Sequence, residues 1–123
     1  MIPLENQVCN LELSKKLERL GVKQESVWYW VRFDHGNKKV KDWALLERKN
    51  CFNEEDTLHI DYVSAFTVAE LGEMLKESKS FQSSDKIGQW CCWTTETVTH
   101  AKTEADARAK MLIYLIENKL IKK

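Results

Sequence analysis

Val27-Trp28-Tyr29-Trp30-Val31-Arg32-Phe33, then Asp34-His35-Gly36-Asn37, then Lys38 through Leu46 carry the strongest structural signal in this chain. β-branched and aromatic residues fill the first segment, and these side chains fit a pleated surface well. Asp34 to Asn37 is a turn signal, so Lys38–Leu46 reads as the returning strand of a hairpin. Two registers are open. A Gly36-Asn37 loop sets Trp30 opposite Trp43 and Phe33 opposite Val40. A His35-Gly36 loop sets Trp28 opposite Trp43 and Val31 opposite Val40. The first is preferred. Strand alternation places Trp28, Trp30 and Arg32 on one face and Val27, Tyr29, Val31 and Phe33 on the other.

Upstream, Leu11, Leu13, Leu17 and Leu20 recur at mostly helical spacing behind Asn10, a suitable N-cap. Gly21 follows where a helix ends in the left-handed conformation, so the spacing predicts a helix over about 11–20, with Val22 packing back on its last turn. Downstream, 47–56 reads as a polar connection and 57–66 as a third strand. Thr67-Val68-Ala69-Glu70 has the form of a capping box opening a short helix to about 76. Residues 77–86, rich in Ser and Lys, are expected to form a mobile loop. A fourth strand is expected over 87–98, with Trp90 and Trp93 on opposite faces. Thr103 then caps the strongest helix, on which Ala105, Ala109, Leu112, Ile113 and Ile116 make one apolar face. Asn118 is expected to end it in the left-handed conformation. Residues 65–70 and 101–106 match at an offset of 36, either from duplication of a strand–helix unit or because both junctions meet the same capping problem.

Together these elements predict one α+β domain over 1–123, in the order α-β-β-β-α-β-α. An antiparallel or mixed four-stranded sheet would carry three helices packed mainly on one face. The chain has 123 residues, of which 43% are hydrophobic and 31% charged, enough to hold a core without metals or disulfides. Lys+Arg and Asp+Glu are both 19, so the balance lacks the basic excess through which most nucleic-acid binders neutralise phosphates. A strand at 27–33, where a recognition helix would have to begin, argues against a helix-turn-helix. The start has neither a basic nor an apolar region of the kind a signal peptide carries, and no stretch approaches the apolar length of a membrane span. The four Cys show no metal spacing and are expected to be reduced in a cytoplasm.

Three segments resemble a group of small proteins encoded by bacteriophages and prophages of gut bacteria. They are Met-Ile-Pro-Leu-Glu-Asn-Gln-Val-Cys (1–9) with Leu-Gly-Val-Lys-Gln-Glu-Ser (20–26), then Ser-Ala-Phe-Thr-Val-Ala-Glu-Leu-Gly-Glu-Met-Leu (64–75). The third is Lys-Thr-Glu-Ala-Asp-Ala-Arg-Ala-Lys-Met-Leu-Ile-Tyr-Leu-Ile-Glu-Asn-Lys (102–119). The resemblance implies an origin on a mobile element and a bacterial cytoplasm, and it assigns no functional residues.

No nucleophile elbow, phosphate-binding glycine loop or metal-ligand spacing occurs, so no enzyme class and no cofactor is implied. His35, His59 and His100 are isolated from one another in the sequence. The distinctive feature is the aromatic sheet: both of its faces carry large apolar groups, while helices are needed on only one. The other is expected to meet a partner, as a homo-oligomer or on a host protein, with cover by a looped-over segment of the chain itself or a small-molecule ligand as the alternatives. The leading expectation is therefore a non-enzymatic interaction protein. The alternative is a small-molecule or nucleotide binder in which Trp28, Trp30 and Trp43 stack on the ligand and Arg32 meets a phosphate. No membrane and no nucleic-acid partner is expected.

Overall fold

Asn10 opens the first helix as anticipated: its side-chain oxygen accepts the Leu13 N–H at 2.9 Å, satisfying one of the orphan donors of the first turn. In a computed structural model describing residues 3–35, 38–39, 43–48, 60–75, 81–84, 90–94 and 97–121, this helix α1 spans Leu11–Arg19. Gly21 follows at φ 88°, and the Val22 N–H reaches back to the Leu17 carbonyl at 3.1 Å. Val22 thereby folds under the helix end and is buried.

The aromatic segment is strand β1 (Trp28–His35), the hub of the first sheet. It pairs antiparallel with β2 (Lys38–Lys39), β3 (Ala44–Glu47) and β4 (Ile60–Ser64). Near the turn the register is the preferred one, with His35 opposite Lys38 and Asp34 opposite Lys39. Farther along it differs: Trp30 faces Leu45, not Trp43, because the returning arm carries two extra residues before Ala44. A shift of two preserves side-chain parity, so each residue keeps its face while its cross-strand neighbour changes.

α2 (Val68–Met74) begins with a complete capping box: the Thr67 hydroxyl accepts the Glu70 N–H, and the Glu70 carboxylate accepts the Thr67 N–H. The single four-stranded sheet and the order α-β-β-β-α-β-α need correction. A second, separate sheet follows α2, ordered β5 (Phe81–Ser84), β6 (Trp90–Trp93), β7 (Val98–Ala101). The supposed loop 77–86 contains β5, and the supposed strand 87–98 contains β6 and the start of β7. A turn separates the last two: the Thr94 N–H donates to the Thr97 carbonyl at 2.9 Å, closing the hairpin. Thr sits as readily in a strand as in such a turn, so composition alone hid the break.

Helix α3 (Glu104–Glu117) is capped by Thr103, whose hydroxyl accepts the Asp106 N–H at 3.1 Å. Its end departs from expectation: Asn118 keeps φ −95°, and Lys119 takes the left-handed position at φ 57°. The Leu120 N–H then bonds the Leu115 carbonyl and the Lys119 N–H that of Ile116, closing a Schellman motif. Every residue of the anticipated apolar face is buried, and so are Ala107, Met111 and Leu115, because α3 runs through the centre of the molecule. It packs on β6 and β7 from one side and against α1 and α2 from others. Cys92 and Ala101 form the sheet side of this core, with Leu17, Phe66, Leu71 and Leu75 on the helical side.

The helices do not share one face of the first sheet. α1 lies against β4, and the carbonyl of Cys9, just before it, accepts the Trp30 indole N–H at 3.0 Å. The Trp30 face, expected to be open, is therefore the face that receives α1. Tyr29 and Val31 on the opposite face are also buried, with Leu46 packed beside them. The expected helices over Tyr29, Val31 and Phe33 are instead distributed between α1 on the Trp30 face and the core of the second sheet.

Candidate functional site

Arg32 stands on the central strand of the first sheet, and the pairing around it determines what it meets. On one side β4 places Asp61 directly across, and the guanidinium donates to that carboxylate at 2.6 Å. On the other, the ladder Val31–Ala44 is one step short of Trp43, so Trp43 falls beside Arg32. The guanidinium carbon lies 5.0 Å from the indole centroid. The two-residue offset of the returning arm thus makes an Arg32–Trp43 contact where the simpler register would have given a Trp30–Trp43 pair.

α1 completes the arrangement from above. The Lys15 ammonium also sits 5.0 Å from the Trp43 centroid, so the indole carries two cations. Such contacts contribute about 0.5–1 kcal/mol each at exposed positions. Lys15, Glu18 and Arg19 of α1 and Arg32, Trp43, Asp61, Tyr62 and Val63 of the sheet side line a groove of about 440 Å³. Tyr62 borders the groove, but its side chain, 44% exposed, lies on the opposite sheet face, where its ring stands at 75° to that of Tyr29.

Of the four residues proposed from sequence, Arg32 and Trp43 meet in this groove, whereas Trp28 and Trp30 do not line it. Trp30 is committed to the Cys9 carbonyl. Its side chain joins the sheet to the chain entering α1, which is a structural task. Lys15 and Arg19 were not singled out in the sequence. Their place in the groove beside Trp43 depends on which face α1 covers, and no local pattern records that.

A second cluster lies on the outer face of the second sheet. Trp93 and Val98 are directly opposite one another and 37% and 49% exposed. Two pairs along the same ladder, Cys91 faces His100, with Sγ and Nδ1 3.2 Å apart. His100 was read as isolated; the hairpin turn at 94–97 is what folds it onto Cys91. Cys92, adjacent in sequence, points the other way into the α3 core and is fully buried, as strand alternation requires. Cys9, Cys91 and Cys92 are free thiols, and Cys51 lies outside the described residues, as do His59 and the side chain of His35.

Burial pushes the Cys9 thiol up to about 11, against the smaller opposing effect of its hydrogen bond with Ser14. Among the described residues no group of three His, Cys, Asp or Glu is placed to hold a metal ion, and no helix is long and apolar enough to cross a membrane. Comparison with known proteins finds no protein family, no curated sequence and no solved structure that matches this chain.

Proposed function

We propose that this chain is a non-enzymatic interaction protein whose groove between α1 and the first sheet docks an acidic segment of a partner protein. The observation that supports this reading is the seating of the Lys15 and Arg32 cations 5.0 Å from the Trp43 ring centroid, at the groove. Trp and Arg are among the residue types that dominate interface hot spots. The groove also carries three cations, Lys15, Arg19 and Arg32, against two anions, Glu18 and Asp61, so its charge complements an acidic chain. Because three sequence segments resemble phage and prophage proteins, the partner we infer is a bacterial host protein and the chain an accessory factor of a mobile element.

A nucleotide or other small anion is the second reading, favoured by the same indole and guanidinium. It ranks lower for a geometric reason. Small-ligand sites are enclosed and mostly apolar, whereas this groove is lined largely by charged side chains, with two cations already against the indole.

Native mass spectrometry of the protein purified from a bacterial host, repeated with Trp43→Ala and Arg32→Ala, tests the choice. A protein adduct carried by wild type and lost in both variants supports the first reading. Co-purification of a small anion instead moves the assignment to the second, and a second copy of the chain as the only adduct makes the groove a homo-oligomer contact. Mass unchanged between wild type and variants, with only bare monomer present, removes the groove from function.

A further inference from the structure

We infer that Cys91 and His100 form a thiol-modification site, at which Cys91 exchanges with a low-molecular-mass disulfide of the glutathione class and becomes a mixed disulfide. This site lies on the second sheet, and no residue lining the groove contributes to it. Three observations converge on it. The sulfur and the imidazole Nδ1 are 3.2 Å apart, within reach for proton transfer from thiol to ring when Nδ1 is the unprotonated nitrogen. Cys91 is half-buried and His100 exposed, so a reagent from solvent can reach the sulfur. Trp93 and Val98, exposed on the same face two pairs away, offer an apolar seat for the body of the reagent.

The other described thiols are out of reach of a reagent in solvent. Cys92 and Cys9 are both fully buried, and the Cys9 sulfur lies 3.0 Å from the Ser14 hydroxyl. Cys92 is the built-in control, one residue away on the opposite face of the same strand.

In the exchange, Cys91 S–H passes its proton to His100 Nδ1, and the thiolate attacks one sulfur of the disulfide. A new S–S bond forms as the old one breaks. The departing thiolate leaves with the electron pair and takes the proton from the imidazolium. Cys91 is oxidised, half of the disulfide is reduced to a thiol, and no proton is lost overall.

Charged groups surround the pair from two elements. The Lys110 ammonium of α3 donates to the His100 carbonyl at 2.7 Å. Lys102 and Asp106 line the cleft beside His100 with Asn10 and Lys110. These groups are left unchanged by a His100→Asn substitution, so that variant isolates the ring.

The test is the reaction of folded protein with oxidised glutathione, and in parallel with the aromatic disulfide 5,5′-dithiobis(2-nitrobenzoate), followed by peptide mass mapping. It is run on wild type and on a Cys51→Ser background that confines the rate to the described thiols. Glutathione is expected on Cys91 and not on Cys9 or Cys92, with a single fast phase for the aromatic reagent. His100→Asn should slow that phase at pH 7 by at least about fivefold and move its pH–rate profile towards that of an unassisted thiol, while circular dichroism stays unchanged. Labelling of Cys92 or Cys9 as fast as Cys91 overturns the site. Fast labelling of Cys91 with the same pH profile in His100→Asn overturns the role of the pair.

Discussion

Asp106, in the first turn of α3, accepts the backbone N–H of Asn10 at 2.7 Å and the Asn10 side-chain amide at 3.2 Å, although 96 residues separate them. The same Asn10 caps α1 through its side-chain oxygen, so one amide ties the starts of two helices together. Both Asp106 and the corresponding Glu70 stand three residues after a capping Thr. Glu70 is long enough to reach back to Thr67, whereas the shorter Asp106 is turned across to α1. The similarity of 65–70 and 101–106 therefore extends to the caps and stops at the carboxylates.

Asp106→Ala should lower stability by about 1–2 kcal/mol, through loss of two hydrogen bonds to Asn10. Asp106→Asn should cost less, since its amide oxygen still accepts the Asn10 N–H. Thr103→Ala should cost about 1 kcal/mol by removing the α3 cap. Chemical denaturation midpoints measure all three. Equal effects of the Ala and Asn changes would mean that the charge, and not the geometry, holds Asn10.

Gly72 sits within α2 where an added Cβ would collide with the Arg108 guanidinium. Arg108 is held there by the Val68 carbonyl at 3.1 Å and by Glu104 at 3.0 Å. An Ala inside a helix ordinarily gains about 1 kcal/mol over Gly. Here Gly72→Ala should lower the thermal midpoint, because relieving the collision displaces Arg108 from both partners. In an Arg108→Ala background the same change should raise it. A rise in the wild-type background would show that Arg108 moves aside at no cost.

The buried Cys9 thiol gives stability a definite alkaline limit. Its value is raised to about 11, so between about pH 9 and 11 the unfolded chain loses this proton while the folded chain keeps it. Stability contributed by the neutral thiol is complete below pH 9 and falls as pH rises through the folded value, by on the order of 2–3 kcal/mol. Urea denaturation of wild type and Cys9→Ala across this range measures it. The variant should show a shallower alkaline decline, and identical declines would assign the loss to other groups.

Trp30 and Trp43 share a sheet face but should respond unequally to substitution. Trp30→Phe keeps a ring and leaves the Cys9 carbonyl without its indole donor, costing about 1 kcal/mol or more. Trp43→Ala removes only half-buried contacts with Lys15 and Arg32 and should change stability by less than about 1 kcal/mol. Denaturation midpoints separate the two. A larger loss for Trp43→Ala would make the groove aromatic a part of the core.

The chain's helices are local decisions, and the sequence by itself determined them. Asn10, Thr67 and Thr103 each bond an N–H within three residues, and Gly21 supplies its positive φ to its own helix end, so a short window contains every participant. The one local miss, Lys119 in place of Asn118 as the left-handed residue, is a shift by a single position. The alternation of Trp28, Trp30 and Arg32 against Tyr29 and Val31 was equally legible, because a strand's two faces follow from its own geometry.

Which face each helix would cover, and which strands would pair, only the tertiary structure decided. Strand pairing joins groups far apart in the chain, and many registers offer backbone bonds of similar worth; side-chain packing across the whole molecule selects among them. Two extra residues before Ala44 moved Trp43 from Trp30 to Arg32. A turn within a Thr-rich run divided one expected strand and brought His100 to Cys91. Both candidate sites are products of these non-local choices. Lys15 reaches Trp43 only because α1 lies on the Trp30 face, while α3 packs against α1 and α2 and on β6 and β7 of the second sheet.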